Sequence, residues 1–435
     1  MRIVFAAMSL LILSYESATA QQQATLKVWS HWGAEPKKQE VVMHVAKLFE
    51  AKSPGTKVEI TWWDKTQMYP AARAALAAGA GFPDVMYMFA GETDEFVKAG
   101  WMTDLSTAIN WENVKSQAKQ SWTLPGPGGK TGVWALTIEA WTDELLYNKK
   151  LFRTLGIQVP ADLTFTQDQL KDAVRKCVAG GVSGFANSVG DRDFPGQALV
   201  SDLLLSKLGE ADLFKLYTGD LSFKDTRVLE VLRYFKELVD MKAFPPTFST
   251  MTLAEAHRYF HTQEKACMFV IGSWYTGRAF ADPQRGGQPK EFELGMLKGT
   301  AMKDGKGVGM KFLGLGGGFG AVSKSPLAAQ AVAFIGTFAD ESIGNMWTGR
   351  TSEPTALRTN PAKIESERPD YVAEYTKAHK DVRYPATVGD GTWRRQMKPG
   401  LREAWVQVVN QALPAGLISV DDAVDRLEQV RVSGK

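Results

Sequence analysis

The chain reads as an α/β protein of two lobes, each a mostly parallel sheet flanked by helices, joined by several crossings. Three observations predict this. Strand and helix patterns alternate through the first ninety residues. The length, 435 residues, exceeds what one hydrophobic core usually supports. No linker divides the sequence, so two domains must share it by exchanging the chain more than once.

Residues 1–20 are expected to leave before folding. Arg2 precedes an apolar run over 3–13, and Ala18-Thr19-Ala20 fits the small-x-small cleavage pattern of a signal peptide. The run is shorter than the ~20 apolar residues of a membrane span. No Cys follows Ala20 to carry a lipid, so an exported, soluble protein beginning at Gln21 is expected. The net charge of +3 and the lack of a Lys/Arg block argue against nucleic acid as a partner. Cys177 and Cys267 lie in apolar surroundings, and two buried free thiols are the expected state; export leaves a disulfide as the alternative.

The elements follow in order. Residues 26–33, LKVWSHWG, form a strand running into a loop. Val41, Val42, Val45, Leu48 and Phe49 share one face of a helix over 35–51, which Pro54-Gly55 ends. Val58, Ile60 and Trp62 alternate along a second strand. An alanine-rich helix around 71–78 stops at Gly79, a suitable C-terminal cap. Pro83-Asp84 leads into the apolar strand 85–89. This β-α-β-α-β series implies a parallel sheet. Such sheets bind ligands beyond the carboxyl ends of their strands, where His31, Trp32, Trp63, Asp64, Phe89 and Glu92 stand.

A turn-rich connection, 121–131, precedes the stretch 132–152, GVWALTIEAWTDELLYNKKLF. It begins apolar and then admits Thr137, Glu139 and Trp141 at every second position. In an extended chain those side chains share a face, and a carboxylate beside an indole suits a hydroxyl-rich ligand better than a core. If that face is a ligand wall, alanine at Glu139 or Trp141 weakens binding and leaves the melting temperature nearly unchanged. Helix patterns follow over 168–177, 198–208, 228–238 and 253–260. A short strand over 268–271 ends in Gly272-Ser273-Trp274-Tyr275. The glycine-rich stretch 311–322 precedes a helix reaching 338, and the last hundred residues hold Pro-interrupted helices. Crossings are expected near 136–140, 266–269 and 314–320.

The order of LKVWSHW, GFPDVMYM, ELLYNKKLF, KACMFVIGSW and AVSKSPLAAQAVAFIGTFA resembles a family 1 extracellular solute-binding protein, the maltose-binding-like component of bacterial ABC importers. The resemblance covers nearly the whole mature length. It implies the type II periplasmic binding protein fold, a periplasmic monomer that closes on a carbohydrate or polyol by hinge motion, and delivery to the transmembrane permease subunits of an ABC transporter. It divides the chain into an N-terminal lobe of 21–137 and 268–316 and a C-terminal lobe of 138–267 and 317–435. Site residues carried over by the resemblance are His31 and Trp32 after the first strand, Glu139 and Trp141 on the crossover, and Trp274 with its neighbour Tyr275. Gly317 and Gly318 let backbone approach the ligand or hinge. Arg350, Trp393 and Arg394 are the candidates that close the site. No cofactor and no metal is implied.

Each candidate has a structural alternative. Trp274 offers a face for sugar C–H groups, or fills a core; Trp32, Trp63 and Trp141 pose the same choice. Glu139 and Asp64 could accept charge-assisted bonds from hydroxyls, or cap a strand end. His257 and His261 share a helical face, but zinc requires further ligands, so a surface helix is the expected setting. GPGGKT at 126–131 lacks the first glycine of a phosphate loop, and GVSG at 181–184 is not a nucleophile elbow. A secreted glycoside hydrolase, with two carboxylates ~5–9.5 Å apart, is the competing class. An anionic sugar derivative or polyol phosphate is the competing ligand, since His31, Arg350 and Arg394 would suit it.

Overall fold

The computed structural model describes residues 24–190, 195–315, 317–385 and 397–433. The signal-peptide reading, Trp393 and Arg394 therefore lie outside the described residues.

The first sheet has the strand order 317–321, 85–89, 24–30, 56–62. Its strands β1 (Ala24–Ser30), β2 (Thr56–Trp62) and β3 (Val85–Phe89) are parallel, while Gly317–Ala321 runs antiparallel beside β3. Helix α1 (Pro36–Lys52) starts at the proline, whose fixed φ suits a first turn. It buries Val41, Val42, Val45 and Phe49, the face expected from their spacing. Helix α2 (Lys65–Ala78) ends at Gly79, which takes the left-handed conformation at φ 71°.

The second sheet has the order 294–297, 141–148, 266–272, 183–185. Here the three pairings that involve Trp141–Asn148 are antiparallel, and only Ser183–Phe185 joins Ala266–Gly272 in parallel. This sheet is therefore more antiparallel than expected, because the chain enters it from the first lobe rather than through a β-α-β unit.

Two separate cores follow. One gathers Leu26 to Trp141 with Phe319 to Leu357; the other gathers Leu145 to Phe312 with Tyr371 to Leu427. Two expectations are corrected. Residues 268–316 belong to the second lobe, because Ala266–Gly272 lies between two strands of its sheet; residues 317–357 return to the first lobe, because Gly317–Ala321 pairs with β3. The crossings near 136–140 and 314–320 hold, but 266–269 is sheet interior, and the remaining passage lies between Leu357 and Tyr371.

Cys177 and Cys267 form a disulfide with Cα atoms 6.2 Å apart, which corrects the expectation of free thiols. The bond ties helix Gln167–Ala179 to the sheet of the second lobe. His257 and His261 are buried rather than on a surface helix: their rings lie 5.9 Å apart, and His261 bonds the Tyr275 hydroxyl at 2.9 Å and the Gly286 carbonyl at 3.0 Å. GPGGKT makes the turn of the short hairpin Thr123–Pro125 and Thr131–Val133. Among the described residues, no helix is long and apolar enough to cross a membrane.

Candidate functional site

The carboxyl ends of β1, β2 and β3 and the hinge ends of the second-lobe strands bring aromatic side chains to the junction of the lobes. Trp141 starts the strand Trp141–Asn148 and stacks on Phe89, ring centroids 5.8 Å apart and planes within 14°. On its other side the backbone of Gly314 approaches so closely that an added Cβ would stand 2.0 Å from the indole. Strand Leu313–Gly314 pairs with Trp141 and Thr142 there, so two crossings are locked through one ring. Gly314→Ala is therefore expected to force the crossings apart, lowering stability by about 1–3 kcal/mol and shifting the tryptophan emission; an unchanged melting curve would show that the crossings have slack.

Trp274 follows the central strand of the second sheet and is half-buried. Its ring packs against the cores of both lobes. An added Cβ at Gly272 would lie 2.0 Å from its Nε1, so the glycine lets the indole lie across the strand end. Tyr275 is enclosed, its hydroxyl 2.9 Å from His261 Nδ1.

The other expected residues divide. His31 lies edge-on to Tyr87 at 4.6 Å and is half-buried, as are Trp63 and Glu92. Trp63 packs on Trp29 at 4.7 Å. Trp32 is fully enclosed among Tyr87, Phe319 and Trp347, so the structure places it in the first core. Asp64 caps α2, accepting from the Thr66 amide at 2.8 Å. Gly317 and Gly318 serve packing: a Cβ would meet the Tyr87 hydroxyl at 1.8 Å and the Leu136 carbonyl at 2.7 Å. Arg350 is exposed and pairs with Glu367, which also binds Lys37 at 2.8 Å.

Glu139 corrects the reading of its stretch. Thr137, Glu139 and Trp141 are all buried. Glu139 binds Lys38 and accepts from the Tyr87 hydroxyl at 2.6 Å. Alanine there would strip a buried lysine of a partner, so its melting temperature should fall rather than stay unchanged.

Sequence reasoning missed a second charged cluster beneath the hinge. Glu144 accepts from Lys311 at 2.7 Å, from Thr142 at 2.5 Å and from His379 Nε2 at 2.7 Å. Burial alone would raise its carboxyl, but Lys311 and His379 hold it at about 2. Because the carboxylate can only accept, His379 Nε2 is the donor. The exposed Tyr384 completes the chain, its hydroxyl 2.6 Å from His379 Nδ1, and Tyr375 stacks on the imidazole at 3.9 Å. The signal was faint: His379 and Tyr384 lie in a loop-rich stretch more than two hundred residues from Glu144.

Two α/β lobes, joined by repeated crossings with aromatic side chains at their junction, define a two-lobed binding-protein fold. The model of the bacterial extracellular solute-binding protein family matches residues 34–342, and the chain belongs to that family. Among solved structures, one from work on xylan utilization by the thermophilic bacterium Caldanaerobius polysaccharolyticus is similar at a TM-score of 0.76 and 19% identity, covering 93% of this chain and 99% of that one. A chitin oligosaccharide binding protein gives 0.76 at 20% identity, covering 94% and 98%. A solute-binding protein from Thermotoga lettingae, bound with α-D-tagatose, gives 0.70 at 18%, covering 94% and 99%. At these identities the likeness is one of fold. No curated protein sequence matches the chain significantly.

Proposed function

We propose that this protein is the exported, periplasmic binding component of an ABC importer, which captures a neutral carbohydrate or polyol between its lobes and delivers it to the membrane permease. The observation that carries this reading is Trp274, a half-buried indole packed against the cores of both lobes. An aromatic face there suits sugar C–H groups, and a solute touching both lobes favours the closed state through its differential contacts. Solved relatives of the same fold are described as binding chitin oligosaccharide, raffinose and tagatose, which supports a sugar.

Charge supports a neutral one. Lys38, Lys311 and Arg350 each face a carboxylate already, so they offer little to an anion. Asp64 and Glu139, expected as acceptors for hydroxyls, are engaged by α2 and Lys38.

The test is mass spectrometry of whatever small molecule the freshly purified protein releases on denaturation. A neutral oligosaccharide or polyol is expected; a sugar phosphate or uronate would move the reading to an anionic ligand, and oligosaccharide turnover would move it to a hydrolase. Trp274→Ala should weaken binding of the released sugar by about 1.5–3 kcal/mol, the worth of one buried aromatic face, as read by calorimetry. Wild-type affinity in that variant would place the sugar elsewhere.

A further inference from the structure

The start of α1 holds a lysine with almost no exposed surface. Lys38 Nζ lies 2.8 Å from Glu35 and 3.1 Å from Glu353, and it also pairs with Glu139. All four side chains are buried. Glu35 comes from the loop before α1, Glu139 from the first crossing segment and Glu353 from the loop after helix Glu341–Thr351, so the first lobe supplies every member.

The second lobe closes over them. The Thr276 hydroxyl lies 3.4 Å from Glu353 Oε1, and the Arg278 guanidinium lies 3.9 Å from Glu35. Between them Gly277 has no side chain; an added Cβ would stand 3.2 Å from Glu35 Oε2 and 3.4 Å from Glu353 Oε1. The two lobes therefore meet across carboxylates. Three carboxylates against one ammonium, with Arg278 at the edge, leave excess negative charge in a desolvated place unless one carboxyl keeps a proton.

We propose that this cluster is a latch between the lobes: Glu35 and Glu353 hold the 276–278 segment of the second lobe, and one carboxyl takes a proton from solvent when the lobes meet and returns it when they part. The inference rests on the hinge reading but not on the ligand's identity.

Glu353 is the proton's site. Burial, with Glu139 and Glu35 beside it, raises its carboxyl well above the ordinary 4.5, against the pull of Lys38. Arg278, Tyr87, Tyr69 and Tyr371 are further titratable and charged groups around the cluster. Parting the lobes lets water reach Glu353 and returns it towards its ordinary value. The closed form therefore binds more protons, and falling pH favours closure. The effect grows as pH drops from neutral towards 4.5 and saturates below it, where both forms are protonated.

Small-angle scattering of the ligand-free protein across that range tests the latch. The compact form should gain as pH falls, with the opening constant decreasing by up to about tenfold per pH unit, the slope of one linked proton. Glu353→Gln fixes the neutral form and should make the compact fraction independent of pH. A wild-type profile that does not move with pH would overturn the latch, as would a Glu353→Gln protein that keeps the wild-type response. Neither measurement uses a sugar, so a failed sugar assignment would show elsewhere.

Discussion

Lys38→Met should lower stability by about 3–5 kcal/mol, the usual consequence of removing one partner from a buried ion cluster. The residue is enclosed, and its ammonium is the shared partner of Glu35, Glu139 and Glu353. Without it three carboxyls stay buried, and Tyr87 alone still donates to Glu139. Burial works against the Lys38 charge, but the three carboxylates raise its pKa above the ordinary 10.5. A raised lysine contributes fully below 10.5, so the whole contribution is present at neutral pH. At about 2–4 °C per kcal/mol for a domain of this size, the first-lobe transition should fall by roughly 10 °C in calorimetry. The deficit should shrink in mild acid, where the orphaned carboxyls take protons. A variant melting like wild type at pH 7 would mean the cluster is hydrated in solution.

Loss of the disulfide should act on the other lobe. Cys177 and Cys267 are 90 residues apart in sequence, and closing a loop of that length typically contributes about 2–4 kcal/mol by restricting the unfolded chain. The double variant Cys177→Ser, Cys267→Ser should therefore lower the second-lobe transition and leave the first where it was, since neither cysteine touches the first core. Two free thiols found by reagent titration of the unfolded, unreduced protein would contradict the bond itself.

The first lobe was legible because its signals are local. Val85–Phe89 falls where its apolar run predicted, α1 and β2 differ only at their ends, and Gly79 caps α2 as expected. The second lobe was harder, because its sheet is built from strands far apart in the chain. Ala266–Gly272 is apolar throughout, which marks burial but not the sheet it joins. The stretch 132–152 taught most. Its alternation of Thr137, Glu139 and Trp141 suggested an open wall, yet all three side chains are buried. A buried glutamate requires a cation, and nothing local shows that Lys38, a hundred residues earlier, supplies it. Trp32 misled for a related reason: a strand-end tryptophan looks like a ligand wall until Trp347, from the returning segment, covers it. Trp274 and Trp63 kept both properties, a strand-end position and a partly open face, and Trp274 also packs against both cores.

The central claim is that the two lobes close on a small neutral carbohydrate or polyol. Calorimetric titration of the purified protein with a panel of neutral oligosaccharides, polyols and their phosphates tests it most directly. The account predicts saturable one-to-one binding of a neutral member, with a negative heat-capacity change from the apolar surface that closure buries. Binding confined to the phosphates, or no heat from any solute, would contradict it.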